Sequence, residues 1–276
     1  MIPSDTTINI LGFEVTTQTR PELLRVMADW IIAREHCHHL MALNPIKVCR
    51  ARNESSLAEH IRRADLVYPD AFGIAWAMKK FSGKTFLPIP GVELMFDLMQ
   101  LANMYEFRVF LLGAAQGVIE SAKTIFTKNY PSANIVGIRN GYLINESNTA
   151  DVIDQVISSQ PHIVLVGMGA LIQENLIQQI ATDSVARNQV IPLLMGVGGS
   201  FDAVTGHVHR PPQWMLHMHL EWLFRLVQQP LRAPRMIALP KFAMLVLGKK
   251  YLKLRLDYTF DNFENRFVTI PEKVKA

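Results

Sequence analysis

Ile163-Val164-Leu165-Val166-Gly167-Met168-Gly169 is the stretch on which the fold turns. Four aliphatic residues run straight into a glycine turn, and Ile172 to about Ala181 then repeats apolar residues at helical spacing. A short, wholly apolar run that leads into a helix reads as a strand buried on both faces, and such strands belong to parallel sheets. The unit recurs along the chain: His39 to Leu43 before Asn44-Pro45, Leu66 to Pro69 before Asp70, Val109 to Leu112 before Gly113, and Ile191 to Met195 before Gly196. Thr19-Arg20-Pro21-Glu22 is a capping box with proline near the first helical position, opening a helix through about Arg34. Further helical periods lie at about Phe72 to Lys80, Val92 to Met104, Gly117 to Lys128 and Thr149 to Ser159. Strands alternating with helices predict an α/β fold, a mostly parallel sheet with helices on both faces.

The composition agrees with a folded chain. Of 276 residues 49% are hydrophobic and 19% charged, which excludes disordered and collagen-like classes. Two cysteines, Cys37 and Cys49, make no disulfide framework. With no apolar run near 18 residues and no leader pattern, the expected location is cytoplasmic. The net charge of +4 conceals an asymmetry: Thr205 to Arg255 holds nine Lys or Arg against Glu221 alone. In that stretch the strand–helix rhythm stops, and Pro211, Pro212, Pro230, Pro234 and Pro240 break it into short pieces rich in Met, Leu, Phe and Trp. The boundaries expected are therefore a catalytic domain at 1–204 and a basic, apolar appendage at 205–276. Anionic lipid, nucleic acid or a phosphorylated ligand suits such an appendage. His207, His209, His217 and His219 have metal-compatible spacing, but with no cysteine near them and no carboxylate partner evident no metal is assigned.

In parallel sheets ligands bind outside the carboxyl ends of the strands. There the sequence places Asn44, Asp70, Gly113 with Gln116, Gly169 with Gln173 and Glu174, and Gly198 and Gly199 with Asp202. Glycines let a backbone approach phosphate, and helix N-termini offer free N–H groups, so a nucleotide is the expected ligand. Neither a Walker loop nor the dinucleotide glycine fingerprint is present.

Leu43-Asn44-Pro45, Tyr68-Pro69-Asp70-Ala71-Phe72-Gly73, Phe110-Leu111-Leu112-Gly113, Gly167-Met168-Gly169 with Gln173-Glu174, Gly198-Gly199-Ser200-Phe201-Asp202, Glu221-Trp222-Leu223-Phe224-Arg225, and Arg232 with Arg235 follow one another in an order that resembles the WecG/TagA/CpsF family of bacterial glycosyltransferases. The resemblance covers about Ile8 to Arg235. It implies a Rossmann-like fold and inverting, metal-independent transfer from a UDP-sugar to a prenyl-diphosphate-linked sugar, for a surface polysaccharide or teichoic acid. The chain would then work peripherally on the inner face of the cell membrane, with no cofactor beyond the UDP-sugar co-substrate. Asp70 matches the family's general base; Asn44 and Gln173 match acceptor-side residues. Gly113, Gly169, Gly198, Gly199 and Asp202 fall at the UDP-sugar pocket, with Arg225, Arg232 and Arg235 as the arginines that stabilise the leaving diphosphate. The chain departs from the pattern at Ala71, where the family usually has glycine, at Leu171-Ile172, where it usually has Pro-Lys, at Pro88, where some members carry arginine, and at Ala42, where a hydroxyl residue is found.

Two other readings remain open at this level: a non-catalytic UDP-sugar or lipid-intermediate binder of the same fold, and a nucleic-acid binder. The second is disfavoured because the basic residues sit between prolines and apolar turns and are not interleaved with aromatics. No nucleic-acid partner is expected, and a homo-oligomer stays an open possibility.

Overall fold

The structure is a computed structural model and describes residues 6–142, 148–206, 212, 215, 218, 221–228 and 233–254, the side chains of Glu221 and Arg225 excepted. The chain opens with a hairpin, β1 (Thr7–Ile10) and β2 (Phe13–Thr16), turned at Leu11 and Gly12, both at positive φ. Next come α1 (Arg20–Ala33), β3 (His38–Leu43), α2 (Pro45–Ala51), α3 (Ser55–Arg63), β4 (Leu66–Pro69), α4 (Phe72–Ser82) and α5 (Gly91–Tyr105). The alternation continues through β5 (Arg108–Gly113), α6 (Gln116–Asn129), β6 (Asn134–Arg139), α7 (Thr149–Ser158), β7 (Ile163–Gly167), α8 (Ile172–Ala186), β8 (Leu193–Gly196) and α9 (Ser200–Val204). Among the described residues three further helices follow, Glu221–Gln228, Ala233–Met236 and Ala238–Leu252.

Six strands form a parallel sheet in the order β4-β3-β8-β7-β5-β6. The expected α/β, Rossmann-like architecture is what is observed, with boundaries moved by a residue or two at most strands. Unannounced by the sequence are the β1–β2 hairpin, the separate α3, and β6, an edge strand whose residues Ile135, Val136 and Ile138 are only half-buried.

Both faces of the sheet are covered. On one, α1, α5, α6 and α9 enclose a core that includes Leu23, Met27, Leu98, Ile119, Phe126 and Phe201. On the other, α7 and α8 pack over β5, β7 and β8, and α2, α3 and α4 pack over β3 and β4. Arg20 ties α1 to α5 through Glu93 and Asp97. The helix Ala238–Leu252 docks on α2 and α4: Phe242 and Val246 are fully enclosed among Val48, Ala51, Ala77 and Met78, and the Cys49 thiol donates to the Ala238 carbonyl at 3.4 Å. This helix thus shares its core with α2 and α4, and Phe242 is a core residue.

Candidate active site

The chain leaves β5 and β7 in opposite senses, through α6 to one face of the sheet and α8 to the other. Between two such strands the loops splay apart and leave a crevice at their carboxyl ends. Gly113 and Gly167 face each other across this point. Gly113 has φ +122°, and a Cβ on it would lie 2.4 Å from the Gly167 carbonyl oxygen, so close strand approach by itself demands glycine there. Gly169, Gly198 and Gly199 differ: a Cβ on the first two would meet only open space, and on the third nothing nearer than Asp202 Oδ2 at 3.7 Å. Backbone at these three positions lines the open side of the crevice. Asp202 sits half-buried in the first turn of α9.

Asn44 and Asp70 lie one residue beyond the paired Leu43 and Pro69, so β3 and β4 deliver them side by side. The Asp70 N–H bonds the Leu43 carbonyl at 2.9 Å. Asn44 caps α2, its Oδ1 accepting from the Lys47 N–H at 2.9 Å. Asp70 is not the cap of α4: Ala71 holds that position with no side-chain bond, and Asp70 Oδ1 instead accepts from the Gly91 N–H at the start of α5, 3.2 Å away. Below it Tyr68 is fully enclosed with its hydroxyl unpartnered, and burial together with the Asp70 charge pushes that phenol well above its ordinary value. Ala71 has φ 78° and ψ 154°, a region that essentially only glycine occupies.

Gln173 and Glu174 are buried, at 3% and 1% exposure. Gln173 Oε1 accepts from the Gly198 N–H at 3.1 Å. Glu174 forms an enclosed ion pair with Lys47, Nζ to Oε1 3.0 Å, and also accepts from Gln173 Nε2 and the Leu171 N–H. Burial pushes this carboxyl up, but the Lys47 charge and the hydrogen bonds from Gln173, Lys47 and Leu171 outweigh it and hold it below the ordinary carboxylate range. Lys47 is the residue sequence reasoning missed. A lysine in the first turn opposes the helix dipole, and that misfit was the available signal that it has a partner.

Asp70, Asn44, Gly198, Gly169 and Gly113 therefore line one carboxyl edge, in the order of strands β4, β3, β8, β7 and β5. Four strand spacings separate its ends, roughly 19 Å. Arg225 is in the helix Glu221–Gln228 with its side chain outside the described residues; Arg232 lies outside them, as do His207, His209, His217 and His219. Arg235 is described and exposed. Two hollows, ≈ 680 Å³ beside Glu35 to Cys37 and ≈ 660 Å³ beside α6 and β6, lie away from this edge.

The sequence pattern of the glycosyl transferase WecG/TagA/CpsF family matches residues 8–255. The chain belongs to this family. Two curated relatives are both named N-acetylglucosaminyldiphosphoundecaprenol N-acetyl-beta-D-mannosaminyltransferase. One, from Bacillus subtilis (strain 168), is 29% identical over 76% of this chain and 79% of its own length. The other, from Bacillus spizizenii (strain ATCC 23059 / NRRL B-14472 / W23), is 31% identical over 71% of this chain and 73% of its own. The carboxyl-edge crevice is thus the candidate active site of a glycosyltransferase. Among the described residues no helix is long and apolar enough to cross a membrane.

Proposed function

We propose that this glycosyltransferase moves a sugar, N-acetylmannosamine in the first instance, from its UDP conjugate to N-acetylglucosamine carried on a prenyl diphosphate, with inversion and without a metal ion. The observation that carries this reading is the pairing of Asp70 with Asn44 at one end of an edge whose other end is the open switch-point crevice. Such an edge accommodates an acceptor at the β4–β3 end and a nucleotide along the glycine loops, with the anomeric carbon between them. The names of the relatives support the transferred sugar and the acceptor, and a β-linked product follows from an α-linked nucleotide sugar by a single displacement.

In that displacement Asp70 accepts the proton of the acceptor hydroxyl as its oxygen bonds the anomeric carbon. The bond from that carbon to the diphosphate oxygen breaks, and UDP leaves with the electron pair. Gly91 orients Asp70 Oδ1 for this work. Arg225, Arg232 and Arg235 are assigned to the departing diphosphate, where a guanidinium forms paired charge-assisted hydrogen bonds. Gln173 is reassigned from touching the acceptor to holding the Gly198 loop, since its carbonyl oxygen is spent on Gly198 and its amide on Glu174.

On this reading the enzyme works peripherally on the inner face of the membrane, where it meets its lipid-linked acceptor. Supporting this, Ile237, Met244, Leu247 and Tyr251 form an exposed apolar stripe on and just before the helix Ala238–Leu252, opposite the buried Phe242 and Val246 and flanked by Lys241, Lys250 and Lys253.

The test is a panel of UDP-sugars with a prenyl-diphosphate-linked N-acetylglucosamine acceptor, in EDTA, for wild type and Asp70→Asn. Expected is transfer that survives chelation and falls by roughly 10² to 10⁴ in Asp70→Asn with UDP affinity within a few fold. UDP binding without transfer from any donor would make the chain a binder only, and near-normal turnover of Asp70→Asn would remove Asp70 from its role.

A further inference from the structure

Three loops of the crevice come from different strands, and nothing in the β-ladder fixes their tips relative to one another. One buried cluster does. Lys47 sits on α2, three residues after Asn44, and its backbone N–H bonds the Asn44 side chain. Its ammonium reaches Glu174 on α8 at 3.0 Å, both side chains being at least nine-tenths enclosed. Glu174 in turn accepts from the Leu171 N–H at 2.5 Å, holding a leucine at φ 77° and ψ −50°, and from Gln173 Nε2 at 2.9 Å. Gln173 then accepts from the Gly198 N–H. The packing leaves no slack: a Cβ on Gly196 would fall 2.5 Å from Gln173 Nε2. Outside the cluster, Arg50 Nη1 adds a bond to the Ala170 carbonyl at 3.2 Å.

We infer that the Lys47–Glu174 ion pair is a positioning device that sets the β3–α2, β7–α8 and β8–α9 loops relative to one another, so that the acceptor end of the crevice and its glycine loops keep one spacing. Neither residue is assigned contact with substrate. A buried ion pair is a poor way to gain stability, because apolar residues of similar volume do as well or better, whereas breaking such a pair leaves a buried charge unmatched. Its geometric use is different: a carboxylate with three directed acceptor contacts fixes orientation, which an apolar patch does not. The inference rests on the glycosyltransferase reading for its effect on turnover, but not for its effect on the loops.

The experiment compares wild type, Lys47→Met, Glu174→Gln and the double variant Lys47→Met/Glu174→Leu by thermal melting, by hydrogen exchange of the 196–199 amides, and by kcat and KM for the acceptor. Expected is a lowered Tm in Lys47→Met and recovery of Tm in the double variant, while exchange at Gly198 stays at least about tenfold faster than in wild type and kcat at least about tenfold lower. A purely structural pair gives the opposite: exchange and kcat return together with Tm in the double variant, which overturns the inference. If the double variant does not fold, Glu174→Gln decides, since it retains an acceptor for Leu171 but loses the charge; wild-type exchange at Gly198 and wild-type kcat in that variant overturn it equally. Absence of transfer by the wild-type enzyme with every donor sinks the proposed function and leaves the exchange measurement standing as the test of the loops.

Discussion

Replacing Ala71 by glycine should stabilise the protein, against the usual effect of a new glycine. Ala71 is exposed and stands between Asp70 and α4 with φ 78° and ψ 154°, and its side chain makes no capping bond. An alanine there bears a strain of about 1–3 kcal/mol, which glycine relieves. Against that, glycine widens the unfolded ensemble by about 0.4–1 kcal/mol. The difference is a net gain of about 0–2.6 kcal/mol, and for a chain of this size each kcal/mol raises Tm by about 2–4 °C. The assay is a urea titration of both proteins, with the midpoint and slope compared, and a thermal scan in parallel. A second consequence concerns chemistry. The strained residue adjoins the proposed base, and a relaxed backbone that leaves the Gly91 N–H bond to Asp70 intact should keep kcat within about threefold. A midpoint that falls in Ala71→Gly, at unchanged slope, would refute the claim that this backbone region is strained.

Three further outcomes are expected. Phe242→Ala should destabilise the protein by about 3–5 kcal/mol, read by denaturant titration, because the ring is enclosed in the core shared with α2 and α4; a loss under 1 kcal/mol would separate the last helix from the fold. Stability should decline as pH falls from about 6.5 to 4, since burial holds His39 at about 4 against the ordinary 6.5, so the folded state binds its proton later than the unfolded one; at 1.36 kcal/mol per pH unit this amounts to about 3 kcal/mol, and His39→Leu should flatten that part of the urea-midpoint profile. Below pH 4.5 the paired Glu174, held lower than an unfolded glutamate, adds a further loss in the same direction. Met244→Ser with Tyr251→Ser should weaken co-sedimentation with anionic vesicles at least about fivefold while leaving Tm within about 2 °C, because both side chains are exposed; unchanged sedimentation would remove this stripe from the membrane contact.

The sheet was legible because its strands are buried on both faces and so carry uninterrupted apolar runs, as in Ile163 to Val166 and Val109 to Leu112. What escaped notice has the complementary cause. The edge strand β6 is half-exposed and interrupted by Gly137, and the hairpin strands are four residues each, too short to show a period. Asn44 and Asp70 were legible as residues at strand ends, but their juxtaposition is a property of the β3–β4 register, which no local pattern carries.

The reach of local reading is clearest in Asp70 and Lys47. An aspartate that stands just before a helix is most commonly its N-cap. The structure gives the cap position to Ala71 and turns the carboxylate toward Gly91, 21 residues on, an arrangement that depends on α5 starting beside β4. Lys47 is the converse case, a residue with no evident purpose where it stands. Its partner Glu174 lies 127 residues away, and each is locally out of character, a lysine in a first turn and a glutamate with almost no exposure. An unfavourable charge at a helix start persists only where a long-range contact offsets it, and a carboxylate is enclosed only where it is paired, so the misplaced lysine after β3 and the buried glutamate after β7 account for each other across β8.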